Sequence, residues 1–401
     1  MSINKFKVKN YPQIFLLFVL LGCTQSLRAQ TPCGKDLSPL FGLTAESVDD
    51  LDRLLPALQQ IKDKCIPTLR VVFQPGESAD KYAKKLEKIR GREAVPTYAY
   101  ILGLLVDSSS FHKYDDTKMR ERAQKYADKL SEYVDIWEAG NEVNGDWVGW
   151  KKDHQEKKSA TELEQMRISV GRRIKLVYDV ISQVYKTKGK TPRFALNLYF
   201  NDDNIDSTKD EKGNYTGHNC LNKGLEKCQG ECLHDYEMFT WADKYLKPQE
   251  NHLKFDYVLF SFYKDDCTQA VTDADLWARV FAKLSHNFTV DGNIPKVGFG
   301  EVAPQCYCLL GDDGKPEEND DKRRVAACCR PEQPKYVRAY YQNLHQQIKD
   351  AIGRMIGTKP NYVGGFFYWY FYQDATDGSA ESKEVLKAMI ESADIWKKQS
   401  F

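Results

Sequence analysis

Beyond its first thirty residues the chain alternates short, almost purely apolar runs with longer stretches whose apolar residues recur every three or four positions. The first four short runs are "PLFGL" at 39–43, "TLRVVF" at 68–73, "VPTYAYI" at 95–101 and "VDIWEAG" at 134–140. Four more follow: "RFALNLYF" at 193–200, "DYVLFSFY" at 256–263, "PKVGFGE" at 295–301 and "YVGGFFYWYF" at 362–371. Continuous apolar runs of this length are expected of strands in a parallel sheet buried on both faces. The intervening stretches predict helices. "TELEQMRISVGRRIKLVYDVISQVY" opens on Thr161 with Glu164 three residues on, the pattern of a capping box. Met166, Val170, Ile174, Val177, Ile181 and Val184 then form one apolar stripe. "ADKYAKKLEKI", "KMRERAQKYADKL", "DADLWARVFAKL" and "YVRAYYQNLHQQI" behave similarly, and a helix around 382–396 closes the chain.

Eight β-then-α units predict an α/β fold, a (β/α)8 TIM barrel forming a single domain over 33–401. An open doubly wound sheet is the main competitor. It would carry a glycine-rich phosphate turn after its first strand, and none is present. The sequence contains no internal repeat, low-complexity tract or linker.

The first residues stand apart from this pattern. Lys5, Lys7 and Lys9 precede the apolar run "IFLLFVLLG", and Ala29 offers a small residue for cleavage, so 1–29 reads as a signal peptide. Alternatively "LLGC" resembles a lipobox, with a leader ending at residue 22 and a lipid anchor on Cys23. Either way the protein is expected to be secreted or extracytoplasmic, the second case being a cell-surface lipoprotein. No later segment is long and apolar enough to span a bilayer. Of eleven cysteines ten follow Cys23, an even set that predicts disulfides in an exported chain. Eight of the ten fall between 220 and 329, in polar stretches that look like disulfide-stapled loop insertions. The acidic run at 311–324 fits a solvated insertion held by such staples better than a calcium loop.

Charge and histidine narrow the chemistry. Fifty-eight basic residues against 57 acidic ones give a net charge of +1, which points to no nucleic acid and no anionic surface. The seven histidines are scattered, with no HExxH, so neither a catalytic metal nor a cofactor is expected. In a (β/α)8 barrel the active site lies at the C-terminal ends of the strands. Those ends carry Arg70 on the second run, "EAGNE" on the fourth, Tyr263 on the sixth, Glu301 on the seventh and Trp369 on the eighth. Trp147 and Trp150 lie in the loop beyond Glu142, and either stacking on a sugar or anchoring the loop would suit them. Asn197, Tyr199 and Asn201 end the fifth run as further candidates for sugar contacts.

An Asn-Glu dipeptide alone is usually an exposed loop pair. At the end of an apolar strand, with a second glutamate three strands on, it suggests the two carboxyl groups that glycoside hydrolysis needs. Period-two alternation sets Glu138, Gly140 and Glu142 on one phase, so Glu138 is expected one layer below Glu142 as a structural hydrogen-bonding group.

"WEAGNE" together with "GFGEVAP" resembles clan A of the glycoside hydrolases, retaining enzymes of the (β/α)8 fold. The resemblance covers the order of elements through the mature chain, with sequence motifs only at the strand ends. It implies Glu142 as acid/base, Glu301 as nucleophile and Asn141 as a ligand of the sugar 2-hydroxyl. It further implies that Arg70 and Tyr263 contact the nucleophile and that Trp369 floors the subsite beside the cleaved bond. Val143 stands where many members of the clan have proline. The expectation is an exported, monomeric, retaining β-glycoside hydrolase, endo-acting on a polysaccharide. An exo-acting glycosidase on oligosaccharides, or a carbohydrate-binding barrel without turnover, are the alternatives.

Overall fold

Parallel pairing carries the chain once around a closed barrel. The computed structural model describes residues 33, 37–145, 147–148, 159–200, 237–246, 253–263, 274–303 and 333–399. Its strands are β1 (Leu40–Ala45), β2 (Thr68–Val72), β3 (Tyr100–Leu104), β4 (Ile136–Gly140), β5 (Phe194–Tyr199), β6 (Tyr257–Tyr263) and β7 (Lys296–Ala303). The eighth position is filled by two pieces, β8 (Asn361–Tyr362) and β9 (Gly364–Tyr368), interrupted at Val363. Neighbours pair in sequence order from β1 to β7, β7 pairs with both pieces, and β9 returns to β1. The fold is thus a (β/α)8 barrel, and Thr31–Phe401 form one compact unit.

Two apolar layers hold it. Inside, Leu40, Leu102, Ile136, Ala195, Tyr257, Leu259, Val363 and Phe367 plug the barrel. Outside, the alternate strand residues, such as Leu69, Val71, Trp137, Leu196, Phe260 and Phe299, pack under the helices. Helices α1 (Asp50–Lys62), α2 (Ala79–Ile89), α3 (Asp116–Leu130) and α4 (Ala160–Thr187) follow the first four strands. The stripe Val170, Ile174, Val177, Ile181 and Val184 on α4 is buried as its spacing predicts. Its capping box, however, is built two residues earlier than expected, on Ser159 and Glu162. The same Ser/Thr-x-x-Glu pattern occurs twice in succession, and the outer copy takes the cap.

The plug stops short of the C-terminal ends. Two residues beyond Ile136, Ala195 and Leu259 stand Glu138, Asn197 and Ser261, all buried. Period two keeps each pair on the inner face, so a polar layer sits directly on the apolar one.

Two strands differ from their sequence expectation in ways that matter for the mouth. β3 begins at Tyr100 rather than 95 and runs on to Leu104. Thr97 and Tyr98 instead donate their amides to Arg90 and Ile89, finishing the C-terminal turn of α2. The eighth strand ends at Tyr368, so Trp369 lies in the turn just beyond it rather than within it. Phe366 there has a φ of 52°, and β9 carries one more residue than β1 between paired positions, a bulge at the rim.

Cys33 and Cys65 form a disulfide. The eight cysteines between 220 and 329, the acidic run at 311–324 and the leader at 1–29 lie outside the described residues. Among the described residues no helix is long and apolar enough to cross a membrane.

Candidate active site

Glu301 reaches the mouth because β7 is irregular. Phe299 faces outward into the helical layer, and strict alternation would send Glu301 outward too. Between Phe260↔Phe299 and Phe262↔Val302 the β6–β7 register shifts by one residue. The bulge resets the phase: Val302 joins the outer core, while Glu301 turns in and is buried. Gly300 makes this possible, because a Cβ there would lie 2.1 Å from Asn197 Oδ1.

A guanidinium organises the floor of the mouth. Arg70, fully buried on β2, donates Nε and Nη2 to the two oxygens of Glu138 at 2.6 and 2.7 Å. Its Nη1 donates to Glu301 Oε1 at 2.7 Å. Burial opposes the arginine's charge, but the two carboxylates more than offset it and raise its pKa. Burial likewise pushes Glu138 above the ordinary carboxylate range while Arg70 pulls it back. Glu138 is therefore the structural partner expected of it, and a fork of two short bonds is the strong form of such a pair. Trp369 lies over Arg70, guanidinium carbon to ring centroid 5.4 Å, within cation–π range.

Asn141 and Glu142 are sequence neighbours that both serve the mouth, which a regular strand would forbid. β4 ends at Gly140, and Glu142 takes a φ of 48°, left-handed and uncommon for a residue with a side chain. The turn is pinned to β5: Asn144 exchanges two hydrogen bonds with the backbone of Tyr199, at 2.8 and 2.7 Å. Asn141 Nδ2 donates to Glu301 Oε1 at 3.0 Å and to Asp107 Oδ2 at 3.1 Å. Its Oδ1 accepts from Asn197 Nδ2 at 2.6 Å, and the same Asn197 nitrogen donates to Ser261 Oγ at 2.9 Å.

Glu142 has a different setting. It accepts a hydrogen bond from Ser108 Oγ at 3.1 Å. Burial, then the like charges of Glu301 and Asp107, hold its carboxyl well above the ordinary range, against the hydroxyls of Ser261 and Ser108. Ser108 Oγ also accepts from Trp147 Nε1 at 3.2 Å. The Trp147 ring stands edge-on to Tyr199 with centroids 4.7 Å apart and remains 38% exposed, at the rim beside Glu142.

The structure thus brings together Arg70, Asn141, Glu142, Glu301, Trp369 and Trp147, with Asn197 beneath them. Tyr263 ends β6 opposite Ala303, and its side chain lies outside the described residues, as do Trp150 and Asn201. Three participants escape the sequence pattern. Asp107 and Ser108 follow β3, whose end is misplaced when the strand is set at 95–101. Glu46 follows β1, which runs two residues past the expected 43. Burial first, then the like charges of Asp50, Glu301 and Asp107, push Glu46 up to about 7 against a 2.8 Å bond from Gln373. The signal for all three is a polar residue at a strand's C-terminal end, legible only once the strand is correctly ended.

No family model matches the chain, and no curated protein matches it. Solved structures are similar to it only distantly. The virulence factor SghA, in complex with the substrate analog salicin, is 14% identical over 85% of this chain and 87% of its own, with a TM-score of 0.45. A β-glucosidase from Thermotoga maritima in complex with noeuromycin is 12% identical over 84% and 89%, with a TM-score of 0.44. The AHE enzyme from Alicyclobacillus herbarius is 14% identical over 81% and 78%, also at 0.44. Likenesses this distant leave function to the geometry of the mouth itself.

Two outcomes follow from that geometry. Arg70→Met strands two buried carboxylates and is expected to lower stability by about 3–5 kcal/mol. Adding Glu138→Leu removes one of those charges and should recover much of the loss in denaturant unfolding, whereas full stability of the single variant would contradict the bridge. Glu142 keeps its proton in the fold to a pH above its ordinary 4.5, so there the folded state binds more protons than the unfolded chain. Its contribution to stability therefore falls as pH rises from about 4.5 through the folded value. Glu142→Gln should flatten that part of the slope when Tm is followed against pH; an unchanged slope would contradict the assigned environment.

Proposed function

We propose that the protein is a retaining β-glycoside hydrolase. The observation that carries the proposal is the contrast between two glutamates at one barrel mouth. Glu301 is held by a guanidinium and an amide, which suit a carboxylate that must stay ionised. Glu142 is buried with hydroxyl partners and like charges, which suit a carboxyl that begins protonated.

The chemistry follows from those settings. Glu301, anchored through Oε1, attacks the anomeric carbon with Oε2 while the glycosidic C–O bond breaks and Glu142 gives its proton to the leaving oxygen. The glycosyl ester that forms removes the charge of Glu301. With that like charge gone, Glu142 acts as base, takes a proton from water, and the new hydroxide oxygen displaces the ester at the same carbon. Asn141, beside both groups, would bind the sugar 2-hydroxyl, with the Trp369 ring over Arg70 and the part-exposed Trp147 ring held by Ser108 as further sugar contacts.

Export is our reading of the basic and apolar N-terminal pattern and the even cysteine set in the sequence. Endo action on a polysaccharide is our reading of the long insertions after the fifth, sixth and seventh strands, which would wall a cleft. Product sizing on β-glucans, mannans, xylans and galactans separates it from exo action: a ladder of intermediate oligomers supports endo cleavage, and a single small sugar from the first minute refutes it.

The mechanism is tested by stereochemistry and pH together. The first-formed product should keep the β configuration in time-resolved proton NMR, and an inverted product would rule out double displacement. Because Glu142 must be protonated in the free enzyme, kcat/KM should fall on the basic side as it ionises. With Glu142→Ala and an activated aryl glycoside, that basic limb should vanish, and azide should restore turnover as the β-glycosyl azide. A variant that keeps the limb would deny Glu142 the acid role.

A further inference from the structure

Asp107 stands beside both reacting glutamates, yet neither chemical step uses it. It caps the short 3-10 turn Ser108–Lys113, its Oδ1 accepting from the amide of Ser109 at 3.0 Å. Its Oδ2 accepts from Asn141 Nδ2 at 3.1 Å. An amide NH2 has two hydrogens, and the other partner of this one is Glu301 Oε1 at 3.0 Å. With Asn141 Oδ1 taken by Asn197, the amide is fixed from three sides. The next residue, Ser108, donates to Glu142.

We propose that Asp107 is the positioning residue for the acid/base and its asparagine neighbour: it fixes which way the Asn141 amide faces and places its carboxylate beside Glu142. This rests on the glycosidase reading for its meaning, but not for its measurement. When Glu301 becomes an ester, the Asn141 hydrogen on Oε1 loses a charged acceptor and turns to the sugar 2-hydroxyl. The bond to Asp107 keeps the amide in place meanwhile. Among the described residues, the like charges that act most strongly on Glu142 are Glu301 from β7 and Asp107 from the turn after β3, opposed by the hydroxyls of Ser108 and Ser261. Arg70 and Glu138 are engaged with each other below, with Arg70 reaching Glu301.

Asp107→Asn tests both halves. Its remaining oxygen can still cap Ser109, but its NH2 would meet the Asn141 NH2 donor to donor. Carbon-13 NMR titration of the glutamate carboxyls, with Glu142→Gln identifying the resonance, should place the midpoint of Glu142 lower in Asp107→Asn than in the wild type. Selectivity for a glycoside over its 2-deoxy analogue, read as the ratio of kcat/KM values, should fall by about tenfold as the 2-hydroxyl contact is lost. A midpoint that stays or rises, or an unchanged ratio, overturns the proposal. Asp107→Ser removes the same charge without the donor clash and gives the same titration readout should the asparagine variant fail to fold. Absence of turnover by the wild type would sink the glycosidase reading and leave the titration to decide the role of Asp107.

Discussion

One guanidinium holds the mouth of this barrel together. Glu138, Arg70 and Glu301 come from β4, β2 and β7, and all three are buried. Any one of them alone in that layer would be a costly unpaired charge. Joined by three bonds of 2.6–2.7 Å they become a rigid platform. Everything above depends on it: Trp369 rests on the guanidinium face, Glu301 takes its orientation from Nη1, and Asn141 completes the hold on the same oxygen. The bridge is less a source of net stability than a device for aiming one carboxylate.

The two proposed catalytic groups differ because their surroundings do. Glutamate is a single chemical type, and an apolar barrel end would push both carboxyls toward neutrality. Arg70 sits on Glu301 and not on Glu142, and the like charge of Glu301 adds to burial in raising the pKa of Glu142. In the proposed reaction this coupling lets one step set up the next, since loss of charge on Glu301 lowers the proton affinity of Glu142. Backbone irregularity is what brings the pair together. A bulge in β7 turns Glu301 inward, and a left-handed φ at Glu142 lets two adjacent residues face the barrel mouth.

Much of this was legible in the sequence, for physical reasons. Runs buried on both faces announce themselves as strands, and, apart from the eighth, which ends three residues early, all but one lie where their apolar residues place them, give or take two residues at the ends. The third does not, because "VPTYAY" has strand-like composition but spends its first amides on the end of α2. That single shift hid Asp107 and Ser108, since a barrel's chemistry is read at strand ends. Alternation found the inward place of Glu138, but it could not find the bulge that turns Glu301. No side chain in the sequence marks a register shift; Gly300 is intelligible only beside Asn197. The leader and the cysteine-rich stretches rest on sequence alone.

The central claim is that Glu301 forms the bond to sugar. An activated 2-deoxy-2-fluoro β-glycoside slows both steps but leaves the first feasible when its leaving group is good, so the glycosyl enzyme accumulates. Peptide mapping by mass spectrometry should find one equivalent of fluorosugar on Glu301, and none after Glu301→Gln. A label on Glu142, Glu46 or Asp107, or undiminished turnover by Glu301→Gln, would contradict the account.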